Sequence, residues 1–466
     1  TANDASIGDV DGDGQYEIIL KWDPTNSHDN SQPGYTGNTY LDCYTLEGKQ
    51  LWRIDLGKNI RSGAHYTPFM VYDFDGDGKA EVMMRTCDGT IDGLGNVIGD
   101  ANADWREIAE NKWRGIIKHG NEYLTVFDGL TGKALSTVNY VPSRGRVEDW
   151  GDDHSNRSER YLAGVGYLDG VHASAIFIRG YYTRTVVAAW DWDGKELKQH
   201  WVFDTNNPKW KDYGGNGNHN IRVADVDGDG CDEITLGSVA IDNDGNGLYN
   251  THMGHGDAIH LTAFYPGSDK LQVWDCHENR RDGSDFRDAA TGKVKFQIPS
   301  NEDVGRCMAA DIDPTNPGLE MWSADSKGLR NVKGDILNGR VRSTNFGIWW
   351  DGDLLRELLD HERVLKYDWK AGRTYTLLQL KNCKFNNGTK SNPCLSADIL
   401  GDWREEILTR DETSSELRLY VSTIPTTHRM TCLEEDVPYR LGVAAENSGY
   451  NQPPETGFYF GAESKF

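Results

Sequence analysis

Short apolar runs separated by polar punctuation recur through most of the chain. Tyr16–Leu20 (YEIIL) and Val186–Trp190 (VVAAW) are typical, rich in β-branched and aromatic residues, and they predict strands. The punctuation repeats as well. Glu47-Gly48-Lys49, Thr131-Gly132-Lys133, Asp193-Gly194-Lys195 and Thr291-Gly292-Lys293 each join two such runs as a hairpin turn would, so strands are expected in pairs. Helical periodicity is scarce. Trp105, Ile108, Ala109, Trp113, Ile116 and Ile117 recur at helical spacing between Asp104 and Gly120, which predicts one inserted helix over residues 105–118. No apolar run approaches the roughly 18 residues that a membrane-spanning helix needs.

A second repeat is acidic. Asp9–Glu17 (DVDGDGQYE), Asp73–Glu81 (DFDGDGKAE) and Asp225–Glu233 (DVDGDGCDE) are close copies, and Asp311–Glu320 and Asp398–Glu406 are looser ones. Eroded copies are expected near Leu168-Asp169, Phe264 and Ala444. Eight marks in 466 residues give about 58 residues per unit, the size of a four-stranded propeller blade with generous loops. With no linker-like break in composition, the expected architecture is all-β: one eight-bladed β-propeller over residues 1–466, with calcium-binding loops.

In each close copy the odd positions gather hard oxygen donors: Asp9, Asp11, Asp13 and Glu17; Asp73, Asp75, Asp77 and Glu81; Asp225, Asp227, Asp229 and Glu233. That is a calcium shell, since calcium takes six to eight oxygen ligands, whereas magnesium retains its waters. Asp311, Asp313 and Glu320, and Asp398, Asp402 and Glu406, extend the set. Each close copy ends on a ninth-position glutamate and enters a strand, unlike an EF-hand, so the ions are expected to staple strands. Asp242, Asp244 and Asn246, with His219, His255 and Asp257, form a further candidate site, although histidine is a poor calcium ligand.

Charge narrows the partners. A formal net charge of −24 excludes phosphate neutralisation of a nucleic acid and attraction to an anionic membrane, and about six calcium ions would halve it. Most of the eight cysteines sit singly in strand-like runs as buried thiols, while Cys383 and Cys394 bracket a polar loop and could clamp it in an oxidising compartment. Thr1 reads as the product of a processing boundary. No nucleophile elbow, phosphate loop, dinucleotide fingerprint or zinc-type cysteine pair is present.

Longer motifs carry a family resemblance: KWDP at Lys21–Pro24, GAHYTPFMVYDFDGDGKAEV from Gly63, GNHN at Gly217–Asn220 and DVGRCMAADIDP from Asp303. It continues through STNFGIWWDGDLLRE from Ser343, NNGTK at Asn386–Lys390, GDWREE at Gly401–Glu406, and PYRLG and YNQPP near the end. Across essentially its whole length the chain resembles the bacterial rhamnogalacturonan lyases of polysaccharide lyase family 11. The resemblance implies a secreted, calcium-rich, eight-bladed propeller enzyme that cuts the rhamnose–galacturonate backbone of rhamnogalacturonan I by β-elimination. It also implies an additional β-domain before the propeller, expected here to be absent or removed. A monomer, with neither nucleic acid nor membrane as partner, is expected.

β-Elimination beside a uronate needs the carboxylate charge offset, the carbon-5 proton removed and the leaving oxygen protonated. By similarity to the family, Asn3, Asp23, Arg306, Asn387, Gly388, Thr389, Lys390 and Tyr450 fall on positions of the substrate cleft. Arg306 is expected to neutralise charge, Lys390 to act as base or its electrostatic equivalent, and Tyr450 to stack or donate a proton. Trp349 and Trp350 are a candidate sugar platform. The short segment Gln297–Asp303 ahead of Arg306 suggests an open, endo-acting cleft. The non-enzymatic alternative is a calcium-stapled propeller for carbohydrate binding or adhesion.

Overall fold

A computed structural model describes residues 1–465. The chain forms two compact units, one of residues 1–217 with 242–246 and 447–449, the other of 218–241, 247–446 and, among the described residues, 450–465.

The first unit holds three antiparallel sheets. In the first, Ala2–Gly8, Glu17–Trp22, Tyr40–Tyr44 and Gln50–Asp55 pair in sequence order, and the hairpin of Thr90–Ile91 and Val97–Ile98 extends the outer edge to six strands. The second runs Phe69–Tyr72, Glu81–Cys87, Glu122–Phe127 and Ala134–Asn139. Tyr161–Gly166, Ser174–Arg179, Val186–Trp192 and Leu197–Asp204 make the third. The inner strands are buried on both faces, as Glu81–Cys87 is, so they read as continuous apolar runs. The outermost strands alternate: Ala134–Asn139 has every second residue exposed, the period-two signature of a half-buried edge.

Five sheets follow in the second unit. Arg222–Ala224 to Gly247–Asn250, Gly256–Thr262 to Val294–Ile298, and Phe346–Ile348 to Arg373–Gln379 are four-stranded meanders. Leu395–Ala397, Glu406–Arg410 and Leu417–Tyr420 form three strands, whereas Cys307–Ala310 and Glu320–Ser323 form only two. The all-β class holds, but the eight-bladed expectation is corrected. Seven sheets have the three or more strands of a blade, and the repeat at Asp311 yields a two-stranded hairpin. Beyond Ser323 the chain carries Gly328, Gly334 and Gly339 at φ of 105°, 86° and 116°, and pairing there shrinks to single bridges such as Met321 to Arg330.

Two further expectations fail. Residues 105–118 are not helical: Asp104, Glu107 and Asn111 side chains take the backbone N–H groups of Arg106, Ala109 and Trp113, Gly115 sits at φ 84°, and Ile108 is 72% exposed. The one α-helix among the described residues, Val437–Ala445, covers the eroded loop expected at Ala444; Asp436 caps it by accepting from Tyr439 N. That repeat instead lies at Asp351–Glu357, where Glu357 Oε2 accepts from Trp350 N and Asp351 N at 2.9 and 3.1 Å. Lys366 fills this loop. Its Nζ lies 2.5 Å from Asp351, 2.6 Å from Asp353 and 2.8 Å from Glu357. Trp349 and Trp350 are buried, the former stacked on Phe460 at 4.5 Å, so neither is a sugar platform.

Candidate active site and acidic loops

The acidic loops share one construction. A glutamate opening the second strand of its sheet turns Oε2 onto a backbone N–H early in the loop: Glu17 onto Val10, Glu81 onto Phe74, Glu233 onto Val226, Glu320 onto Ile312 and Glu406 onto Leu400, all at 2.9–3.0 Å. The first aspartate accepts from the glycines that follow, as Asp9 does from Gly12 at 2.7 Å and Gly14 at 2.9 Å. Gly12 and Gly14 sit at φ 82° and 87°, which is why glycine recurs there. The remaining carboxylate oxygens converge, with those of Asp9, Asp11 and Asp13, of Asp73, Asp75 and Glu81, and of Asp225, Asp227 and Asp229 within 4.8 Å of one another.

Such a cluster is electrostatically costly without a cation. Burial and the charges of Asp75, Asp73 and Asp77 push Glu81 up to about 8, and burial with Asp227, Asp229 and Asp225 does the same to Glu233. Glu406 reaches about 8 and Glu320 about 10, with burial the main cause in both. Glu233 Oε1 and Glu320 Oε1 are buried without a hydrogen-bond partner. All-oxygen donor sets with an unsatisfied buried oxygen fit a calcium ion. The looser loops fit less openly, because Asp398 also accepts from Leu433 N and Asp311 from Tyr459 Oη and Ala462 N.

The expected site residues fall into two groups. In the first unit Asn3 Nδ2 donates to Asp23 Oδ2, while Asp23 Oδ1 accepts from Ser62 Oγ at 3.1 Å. Arg306, Asn387, Gly388, Thr389, Lys390 and Tyr450 belong to the second. Asn387, at φ 62°, donates to Asn392 and Asn451 Oδ1 and leads into the short turn Gly388–Lys390. Thr389 O accepts from Asn345 Nδ2 at 3.0 Å. The turn aims Lys390 Nζ at Asp257 Oδ2, 2.8 Å away, and at Gly305 O, 3.3 Å away, while the ammonium sits 4.1 Å over the Tyr450 ring. All three contacts are ones an ammonium makes. On its other side Tyr450 stacks on His219 at 4.1 Å.

Arg306 is 5% exposed and bonded only to carbonyls: Asn345 O at 2.6 Å, Tyr450 O at 3.1 Å and Asn451 O at 3.2 Å. Its Nε is buried without a partner, and no carboxylate lies within salt-bridge distance among the described residues. A buried guanidinium with no carboxylate within salt-bridge distance is suited to receive one.

Beneath Lys390 lies a cluster that sequence reasoning found in part: His219, His255, Asp257 and Glu278 bring ligand atoms within 4.8 Å of one another. Asp257 Oδ1 makes no hydrogen bond although it lies 3.5 Å from His219 Nε2. Burial and the neighbouring Asp257 push Glu278 up to about 8, and burial and Asp257 raise Asp303 as well. Asp242, Asp244 and Asn246 are not in this group; they close a turn of their own. Glu278 and Asp303 went unread because neither stands in a repeat. Cys383 and Cys394 are unbridged thiols: the first packs with Leu380 and Phe385, and the second accepts from Asn386 Nδ2 at 3.6 Å.

The model of rhamnogalacturonan lyase family 11, C-terminal domain, matches residues 1–465. The chain belongs to this family. The lyase is 55% identical over 464 residues to the rhamnogalacturonan endolyase YesW of Bacillus subtilis (strain 168), covering 99% of the chain and 74% of that protein. It is 52% identical over 483 residues to the rhamnogalacturonan exolyase YesX of the same strain, covering 100% of the chain and 78% of that protein. The crystal structure of YesW superposes with a TM-score of 0.97, and that of a Bacillus licheniformis rhamnogalacturonan lyase with 0.95 at 56% identity, covering the whole chain and 79% of each. The lyase is thus a polysaccharide lyase.

Proposed function

We propose that the lyase cleaves the rhamnose–galacturonate backbone of rhamnogalacturonan I by β-elimination, in endo fashion, as a secreted monomer. The observation that carries the chemistry is the pairing of Arg306, buried and free of carboxylates, with Lys390 at the rim of the cluster around Asp257. Arg306 receives the uronate carboxylate and offsets its charge, which stabilises the carbanion-like transition state. Once substrate displaces the contact to Asp257 and the Lys390 ammonium has given up a proton to water, the neutral amine faces the carbon-5 proton and accepts it. Tyr450, held between His219 and Lys390, backs the sugar or passes a proton to the leaving oxygen. Asn387, Gly388 and Thr389 orient hydroxyls.

His219, His255, Asp257 and Glu278 would hold a divalent cation, which supplies further positive charge beside the carboxylate. The two imidazoles make the identity of that ion open to choice, whereas the aspartate loops would hold calcium. Endo action is supported by the short segment Gln297–Asp303 ahead of Arg306. Identity does not separate the modes, since an endolyase and an exolyase match almost equally.

The test is absorbance near ~235 nm, where an unsaturated uronate absorbs, on rhamnogalacturonan I with polygalacturonate as control. Lys390→Ala should abolish the rise while circular dichroism stays that of the parent. Full residual activity would remove Lys390 from the mechanism, and no rise with the parent would favour the binding or adhesion alternative. Size profiles of early products check the endo assignment.

A further inference from the structure

The segment that reduces the Asp311 repeat to two strands is chemically unlike the rest of the chain. Residues 325–342 carry Lys327, Arg330, Lys333, Arg340 and Arg342 against Asp325 and Asp335, a positive stretch in a protein of net charge −24. Its folds enclose a cleft of about 400 Å³ whose walls include Trp322, Ser323, Ser326, Gly328, Gly339 and Arg340.

This cleft shares a sheet end with Arg306. Cys307, the residue after Arg306, is the register partner of Ser323, and Ala324 N donates to Arg306 O at 2.9 Å. The chain leaving Ser323 therefore starts beside Arg306 and turns into the cleft wall. From the other side, Asn345 O accepts from the Arg306 guanidinium, three residues beyond Arg342.

The donors are built for an anionic sugar. Arg330 is spent on Gly334 O at 2.8 Å, a structural role. Arg340 is exposed, and its guanidinium has no hydrogen-bond or ion-pair partner among the described residues. Gly339 sits at φ 116°, and a Cβ there would meet Tyr367 Oη and Gly372, so the backbone holding Arg340 is fixed by close packing. Ser323 Oγ is positioned by Ser284 Oγ at 2.6 Å. A planar guanidinium that matches a carboxylate and hydroxyls for sugar oxygens suit one uronate residue.

We propose that this cleft is a second uronate subsite, in which Arg340 binds the carboxylate of the next galacturonate along the backbone, one rhamnose away from the one held at Arg306. The proposal rests on the rhamnogalacturonan lyase reading. It makes length recognition electrostatic, because an oligosaccharide reaching both arginines is held by two charges and a shorter one by a single charge.

The experiment compares rhamnogalacturonan I oligosaccharides long enough and too short to span both points, using the full chain, Arg340→Glu and Arg340→Lys. The ratio of kcat/KM for long over short should fall about tenfold in Arg340→Glu, as for loss of one charge-assisted contact, and less in Arg340→Lys. Calorimetric binding of the long oligosaccharide in the Lys390→Ala background should weaken by a similar factor, and this arm reads the subsite without turnover. A ratio and an affinity unaltered by Arg340→Glu would overturn the subsite. Absence of unsaturated product from the unsubstituted chain, with binding still dependent on Arg340, would overturn the lyase chemistry and leave the subsite standing.

Discussion

Chelation should change the sign of the protein's response to pH. In the ion-free loops Glu81, Glu233 and Glu406 each lie near 8, above the 4.5 of an unperturbed glutamate, chiefly through burial. A group raised on folding keeps a proton that the unfolded chain releases, so its contribution is complete below about pH 4.5 and is lost as pH climbs toward 8. The slope is about 1.4 kcal/mol per pH unit for each group, or roughly 4 kcal/mol per unit for the three together. The exposed aspartates beside them are screened by water and salt, which makes this an upper bound. Set against the 5–15 kcal/mol typical of a folded domain, one to two pH units should decide whether the ion-free protein survives. Calcium inverts this, because it binds the deprotonated carboxylates and strengthens as they ionise. Thermal melts from about pH 6 to about pH 8, with chelator and with excess calcium, should diverge steadily. Parallel profiles would refute the argument, showing either that the loops bind no ion or that their glutamates are charged without one.

The loop around Lys366 offers a complementary test. Lys366→Met leaves Asp351, Asp353 and Glu357 facing one another and should cost about 3 to 5 kcal/mol in denaturant unfolding, part of it recovered by calcium. A variant as stable as the parent would show that the ammonium balances nothing. Arg306→Lys replaces a fork by a point charge and should lower kcat/KM by about a hundredfold at temperatures well below its melting point, which falls as Asn345 O, Tyr450 O and Asn451 O lose donors. An unchanged kcat/KM would move carboxylate recognition elsewhere.

The parts of this molecule legible in sequence are those fixed by local chemistry. A glycine forced to positive φ, an aspartate that must accept from it and a glutamate that must open the next strand leave a nine-residue signature, so the loops at Asp9, Asp73 and Asp225 could be placed. Where a lysine side chain fills the loop the signature fades, as at Asp351–Glu357, and the residues near Ala444 that resemble an eroded loop form a helix. The helix expected at residues 105–118 failed because periodicity counts apolar positions without asking what covers them, and nothing covers Ile108. At the candidate site, Lys390 and Arg306 stand out as cations in an acidic chain. Glu278 and Asp303 could not, since their role comes from the Asp257 carboxylate that folding brings beside them.

With calcium in the other loops, as proposed, the Lys366 loop would make calcium starvation uneven along the chain. A dissolved ion leaves its loop as its concentration falls, whereas an ammonium tethered through its own strand, Arg363–Asp368, stays at a fixed high effective concentration. The sheet from Phe346–Ile348 to Arg373–Gln379 therefore has a counter-charge that no chelator can remove. It should be the last of the loop-bearing sheets to exchange its amide protons under chelation, and so mark where refolding begins when calcium returns.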